Sequence, residues 1–242
     1  MKKALLTLTL IGFLVLPSFA QGNSWNGGNG KGKHGPGWGI GFNGGMAELI
    51  NSLPHEDLSD EEIWGMTYMY EEEKLARDVY LTLYKTWKIK ILKNIANSEQ
   101  RHMNAMKLLL QKYDIPLPIE NDEVGFFSNT TLQQLYHELV AQGEPSPEDA
   151  VYVGATIEDL DIFDLKTYIS QADNSDIRTV YQNLMKGSRN HLRAFVRHLS
   201  KYEVTYEAQY LSQDEVNEII SSPMERGLVD EDGNPIFGNT GW

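Results

Sequence analysis

From residue 59 to about residue 201, apolar side chains recur at spacings of three and four, the period of helices with one buried face. Four long stripes result. The first carries Met66, Met69, Glu73, Ala76, Tyr80, Leu83 and Trp87, and Ser59-Asp60-Glu61-Glu62 supplies a capping box to open it. The second, about 91 to 113, aligns Ile95, Glu99, His102, Met106, Leu109 and Tyr113 and is stopped by Pro116 and Pro118. Ser146-Pro147-Glu148-Asp149, an N-cap followed by proline at the first helical position, starts the third. It runs to about 171 through Val151, Gly154, Glu158, Asp161, Leu165 and Tyr168. The fourth, about 176 to 201, aligns Ile177, Tyr181, Leu184, Ser188, His191, Phe195 and His198, and a shorter helix is predicted over about 130 to 142.

Tight connections join the first helix to the second and the third to the fourth, so each pair forms an antiparallel hairpin. The stretch between the pairs, 114 to 146, is long enough for the third helix to start at the end opposite to where the second finishes. One long central crossover containing a short extra helix predicts an all-α, ferritin-like four-helix bundle over 51–222. Outside it the composition changes. Lys2 and Lys3, the apolar run Ala4 to Val15, and Ser18 and Ala20 as small residues before a cleavage point predict a signal peptide over 1–20. Export to the periplasm or the extracellular space is therefore expected. Residues 21–50 hold eleven of the 21 glycines and read as a flexible arm, and 223–242 reads as an irregular tail.

The absence of cysteine removes disulfides, zinc–thiolate sites, iron–sulfur clusters and thiol nucleophiles, so any metal must be held by nitrogen and oxygen. A net charge of −13 offers no electrostatic footprint for nucleic acid. No stretch after the leader approaches the length of a membrane span.

The chemistry sits where the stripes are interrupted. Glu73, Glu99, His102, Glu158 and His191 all fall near mid-helix on otherwise apolar faces, and the i, i+3 spacing puts Glu99 and His102 on one face. Acids buried together are costly unless paired or coordinated, and a Glu/His donor set suits iron, manganese or zinc. A glutamate on each of two helices with Glu-x-x-His on each of the other two is the pattern of dinuclear carboxylate bundles. Three of these four elements are present, and Ser188 stands where the fourth needs its glutamate.

The run Glu73-Lys-Leu-Ala76-Arg77-Asp-Val-Tyr80 resembles the first helix of rubrerythrins, and Asn97-Ser-Glu99-Gln-Arg-His102 resembles their second. The whole of 59–222 is similar to a ferritin-like domain family of unknown function found in bacteria and archaea. Its markers here include Ser98-Glu-Gln-Arg-His102, Ile157-Glu-Asp-Leu-Asp-Ile162 and Gly187-Ser-Arg-Asn-His-Leu-Arg-Ala-Phe195. The resemblance implies a ferritin-like fold and a dinuclear metal centre. It also implies that Asp161 can serve as an extra ligand in place of the missing acid. Without Asp161, Glu73, Glu99 and His102 remain as a mononuclear site. Tyr80, Ser188 and Arg77 are the expected neighbours of the ligands.

Each of these residues has a plainer reading beside the sharp one. Glu73 belongs to an acidic run, 71–73, of the kind that usually faces solvent, and Glu158 could pair with Arg77 or Arg193. Three functions follow. The chain is an oxidoreductase using one or two iron ions, or iron with manganese, against dioxygen or peroxide, with no cysteine-based internal electron donor. Alternatively it is an envelope protein that binds and buffers metal ions. The third reading is a metal-free bundle that binds partners, its acids neutralised by Arg77, Arg101, Arg189 and Arg193. A homodimer is compatible with all three.

Overall fold

The structure, a computed structural model, describes residues 45–236; the leader, the arm up to residue 44 and the last six residues lie outside them. The fold is all-α. In chain order the described residues form α1 (Met46–Ser52), α2 (Asp60–Trp87), α3 (Lys90–Lys112), α4 (Thr130–Gly143), α5 (Pro147–Gln171), α6 (Ser175–Leu199) and α7 (Gln213–Ser221), with a 3-10 turn at Ser200–Tyr202. Among them no helix is long and apolar enough to cross a membrane, and the single β-bridge, Val229 with Pro235, belongs to no strand.

The caps forecast by sequence form. Ser59 Oγ accepts the N–H of Glu62 at 3.2 Å while Glu62 Oε2 accepts the N–H of Ser59 at 2.9 Å. Asn129 caps α4, and Ser146 caps α5 ahead of Pro147. Only Lys88 and Ile89 join α2 to α3. Lys88 makes the reversal in a left-handed conformation, φ 56°, its N–H closing on the Tyr84 carbonyl.

Polar cross-links set the direction of each long helix. Glu62, in the first turn of α2, also accepts the N–H groups of Asp173 and Asn174 just beyond α5, at 3.2 and 3.1 Å. At that same end Asp176, in the first turn of α6, accepts from Lys112 Nζ at 2.6 Å and from the Tyr113 hydroxyl at 2.8 Å, where α3 closes. At the opposite end Trp87 Nε1 donates to the Gly143 carbonyl at 2.9 Å, tying the last turn of α2 to the end of α4. Thus α2 is antiparallel to both α3 and α5, and the connection 113–146 travels the length of the molecule to bring the chain back to the start of α5.

Two apolar layers result. Near the Glu62 end, Met66, Met69, Met103, Met106, Leu109, Ile177, Val180, Tyr181 and Leu184 form a continuous core. Toward the other end Leu83, Leu92, Val151, Phe195 and Leu199 are fully buried. The acids and imidazoles lie between.

Two segments depart from the sequence reading. Part of the stretch assigned to the flexible arm, Met46–Ser52, is helical, and Leu49 and Ile50 are only 1% exposed. Lys112 Nζ accounts for its ending, donating to the carbonyls of Ile50, Leu53 and Pro54. Two turns without a side-chain N-cap leave no periodic signal. The segment after Pro223 is irregular as expected, but it is docked. Asn183 exchanges two hydrogen bonds with the backbone of Val229, at 2.8 and 3.0 Å, and Glu225 pairs with Arg189 and Arg193.

Glu62→Ala removes the glutamate half of the capping box, stranding the N–H groups of Ser59, Asp173 and Asn174; the expected cost is about 2 kcal/mol of unfolding free energy, measured by denaturant titration.

Candidate metal centre

Ten aspartates and glutamates are buried, and their partners divide them into two groups. Five are saturated. Glu62 accepts the N–H groups already described, and Glu71 accepts those of Ser128 and Asn129. Asp78 is held by Lys74, Arg77 and the N–H of Gly125. Asp159 accepts the Tyr206 hydroxyl and the N–H groups of Gln209, Tyr210 and Leu211, and Asp176 is held by Lys112 and Tyr113. These acids anchor the crossover, the carboxyl-terminal segment and the helix ends.

The other five are Glu72, Glu73, Glu99, Glu158 and Asp161. None of them pairs with a lysine or arginine. The acidic run 71–73, which could have been a solvated helix face, is buried throughout.

Glu99 is the hub. Its Oε2 lies 2.7 Å from His102 Nδ1, and its Oε1 lies 2.8 Å from His191 Nδ1. His102 Nδ1 is also 3.1 Å from Glu73 Oε2, and His191 Nδ1 is 3.3 Å from Glu158 Oε2. The donor atoms of Glu73, Glu99 and His102 lie within 4.8 Å of one another, as do those of Glu99, Glu158 and His191. The two triads share one carboxylate and present stacked imidazoles whose centroids are 5.4 Å apart. With metal–ligand bonds of about 2.1 Å, donors around one ion sit roughly 3 Å from each other, and the carboxylate–imidazole distances in the two triads run from 2.7 to 3.3 Å.

Several atoms here are buried without a hydrogen bond: Glu73 Oε1, Glu99 Oε1, Asp161 Oδ1 and His191 Nδ1. Glu99 Oε1 and His191 Nδ1 are close but not aligned as donor and acceptor. Unpartnered buried oxygens and a ring nitrogen, with no thiolate among them, fit a hard or borderline cation.

Neighbouring residues orient the ligands. The Tyr80 hydroxyl donates to Glu158 Oε1 at 2.6 Å. His191 Nε2 is 3.0 Å from Ser98 Oγ, which also accepts from Arg101, and this contact holds the ring with Nδ1 facing Glu99. Ser188 Oγ donates to Asp161 Oδ2, leaving Oδ1 free. Asp161 itself lies outside both triads. A Cβ at Gly187 would lie 2.5 Å from His102 Nε2, so glycine here lets the ring seat against α6.

Arg77 departs from its expected place beside the ligands. It pairs with Asp78 and Asp122 and donates to Gln100, because its position on α2 faces the crossover. Arg101 binds Asn97 and Ser98, while Arg189 and Arg193 bind Glu225. The four arginines available as counter-ions are all engaged elsewhere, and neither Arg77 nor Arg193 reaches Glu158. Sequence reasoning did not single out Ser98, Gly187 or Glu72. Only Gly187, a glycine inside a helical pattern, carried a signal for close packing.

Charge is distributed unequally. Burial pushes Glu73 and Glu158 up to about 7, the charge of Glu99 adding to the effect at both. Burial also pushes Glu99 up, but the imidazoles of His191 and His102 outweigh it and hold Glu99 below the usual carboxylate range. Burial opposes the charge on His191, yet Glu99 and Glu158 raise it to about 10. Burial and the carboxylates of Glu73 and Glu158 hold Asp161 well above its ordinary value.

The profile of a family described as an uncharacterized protein domain, DUF2202, matches residues 62–223, a span that contains every residue of the two triads. The chain is 59% identical over 183 residues to the uncharacterized protein MJ0754 of Methanocaldococcus jannaschii, an overlap of 76% of this chain and 99% of that protein. It is also similar to the crystal structure of the hypothetical protein MJ0754 from Methanococcus jannaschii DSM 2661. That match has a TM-score of 0.71 at 59% identity and covers 72% of this chain and 99% of the other.

Two outcomes are expected. In a chelated preparation, Glu73 and Glu158 bind protons more tightly folded than unfolded, so stability falls as pH rises from about 4.5 to about 7. His191 extends the loss from about 6.5 to about 10, so thermal melts should show lower stability at pH 8 than at pH 6. Gly187→Ala, by displacing His102, should weaken metal affinity roughly 10- to 100-fold in calorimetric titration while the helical circular dichroism persists.

Proposed function

This chain belongs to the DUF2202 family of uncharacterized protein domains, and on that footing we propose that it is a ferritin-like four-helix bundle built around a dinuclear carboxylate metal centre. The observation that carries the proposal is Glu99, 1% exposed, with one oxygen toward each of two imidazoles and no lysine or arginine in reach. A buried carboxylate among other acids is tolerable when cations sit between them. Full-length travel of the crossover and the antiparallel pairing of α2 with α3 and with α5 support the ferritin-like reading.

Glu73 and His102 would hold one ion, Glu158 and His191 the other, with Glu99 between them and Asp161 as an added carboxylate. Iron is the first expectation, with manganese or zinc suited to the same donors. A pair of iron ions supplies two-electron redox chemistry toward dioxygen or peroxide. The protein's part is to position and to exclude. Tyr80 fixes Glu158, Ser98 orients the His191 ring, and the apolar layers above and below keep bulk water out. The two imidazole side chains are 13% and 12% exposed, so a small oxidant can approach on the α3–α6 side where a large substrate cannot. The basic and apolar sequence of residues 2–20 supports export, which puts this chemistry in the periplasm or outside the cell.

Chelated protein titrated with ferrous iron under anaerobic conditions should take up about two ions, and metal at a hundred times Kd should add roughly 2.7 kcal/mol of stability for each ion bound. Glu99→Ala should lose both ions, and Glu73→Ala one. Adding peroxide to the loaded protein should produce a visible absorption band; tight binding without redox turnover would instead assign the chain to metal buffering. Failure of the wild type to bind any of iron, manganese or zinc sinks the metal centre.

A further inference from the structure

Of the five buried acids without cationic partners, Glu72 belongs to neither triad. It is 2% exposed, and both of its carboxylate oxygens are buried with no hydrogen bond to a donor group. Burial disfavours its charge, and another acid, Asp164, is close enough to add to that effect. The antiparallel register of α2 and α5 explains the meeting. The rings of Tyr68 and Tyr168 pack across the two helices at 5.9 Å. One turn along each helix from that pair come Glu72 and Asp164, and one step nearer mid-molecule come Glu73 and Asp161.

Asp164 is half-buried, Glu72 is buried, and Asp161 keeps Oδ1 unpartnered. Carboxylates therefore continue from the part-exposed Asp164 to the two triads, and among the described residues no lysine, arginine or histidine pairs with Glu72, Asp161 or Asp164. Every structural acid in the molecule is saturated by donors, so a purely structural role for Glu72 would leave it the exception. A proton shared by Glu72 and Asp164 would satisfy one oxygen of each, but not the second oxygen of Glu72.

We propose that Glu72 and Asp164 form a separate cation-binding position, an uptake site that takes a divalent cation from solvent at the part-exposed Asp164 and passes it by Asp161 to the Glu99 centre. Two carboxylates with the remaining positions filled by water suit a hard divalent ion held loosely enough to leave. The role rests on the reading of Glu99 as a metal centre, since a passage needs a destination.

Full-length, chelated protein is mixed with Mn(II), and loss of the free-ion signal is followed by electron paramagnetic resonance for wild type, Glu72→Gln, Asp164→Asn and Glu99→Ala. Glu72→Gln is isosteric and removes a buried charge, and Asp164→Asn changes a half-exposed group, so both should fold. Each is expected to fill the centre to the wild-type stoichiometry at a rate about tenfold lower, the scale of electrostatic focusing in a charged cleft, with the difference shrinking at high salt. Unchanged loading rates in both variants overturn the uptake site and leave the centre standing, as does a slowing indifferent to salt. Wild-type binding that survives intact in Glu99→Ala overturns the centre and with it the passage. A wild type that takes up no Mn(II) overturns the uptake site, and the centre with it where iron and zinc are refused as well.

Discussion

A carboxylate with an imidazole on each oxygen, 1% exposed and paired with no guanidinium among the described residues, is the constraint around which this molecule is arranged. Glu99 sits between two apolar layers, and each of its neighbours is itself an ionisable group that burial disfavours. The helices around it are positioned by everything except this cluster. Capping boxes, the Lys112–Asp176 pair, the Glu62 links and the Trp87–Gly143 bond fix the direction of the long helices at their ends. The middle is therefore free to hold groups that weaken the fold, because stability is supplied elsewhere.

Buried acids do two kinds of work here. Asp159 satisfies three consecutive backbone N–H groups and a tyrosine hydroxyl, so it turns a connecting segment that lacks regular structure into a fixed part of the molecule. Glu71 and Asp78 do the same for the crossover. In these places the charge is neutralised by the protein. The central acids have no lysine or arginine among the described residues to compensate them, and under the proposed function a bound cation takes that place. The same residue type thus serves structure or chemistry according to whether donors are aimed at it.

Much of this was legible in the sequence. Spacings of three and four gave four long helices, and the acids and imidazoles that broke the stripes proved to be the residues that meet: Glu73, Glu99, His102, Glu158 and His191. The long stripes are legible because each buries a whole face, so the pattern repeats over six or seven turns. Where burial was local, the pattern was too short to read. Two turns at Met46–Ser52 are held by one lysine from a distant helix, and the carboxyl-terminal segment is held by asparagine and arginine side chains of α6. The wrong expectation for Arg77 has the same origin. Helical phase says which residues share a face, but not that Asp122, from an irregular segment 45 residues away, would claim the guanidinium.

Ser188 bears on how many ions the centre can neutralise. Under the dinuclear proposal, two divalent ions bring four positive charges, and the two triads offer three carboxylates because Glu99 is shared. A fourth carboxylate balances the site. In the pattern with Glu-x-x-His on two helices it comes from the same helix as the second histidine, but α6 has Ser188 there. The hydroxyl of Ser188 instead donates to Asp161 on α5, one turn from Glu158, and turns the unpartnered Oδ1 loose beside Glu73 and Glu158. A serine that positions an acid from the neighbouring helix can conserve the charge of the cluster while moving its source. By this reasoning the missing glutamate argues for a rearranged centre rather than a half-empty one, and it places the added carboxylate on the side of the site that faces Glu72.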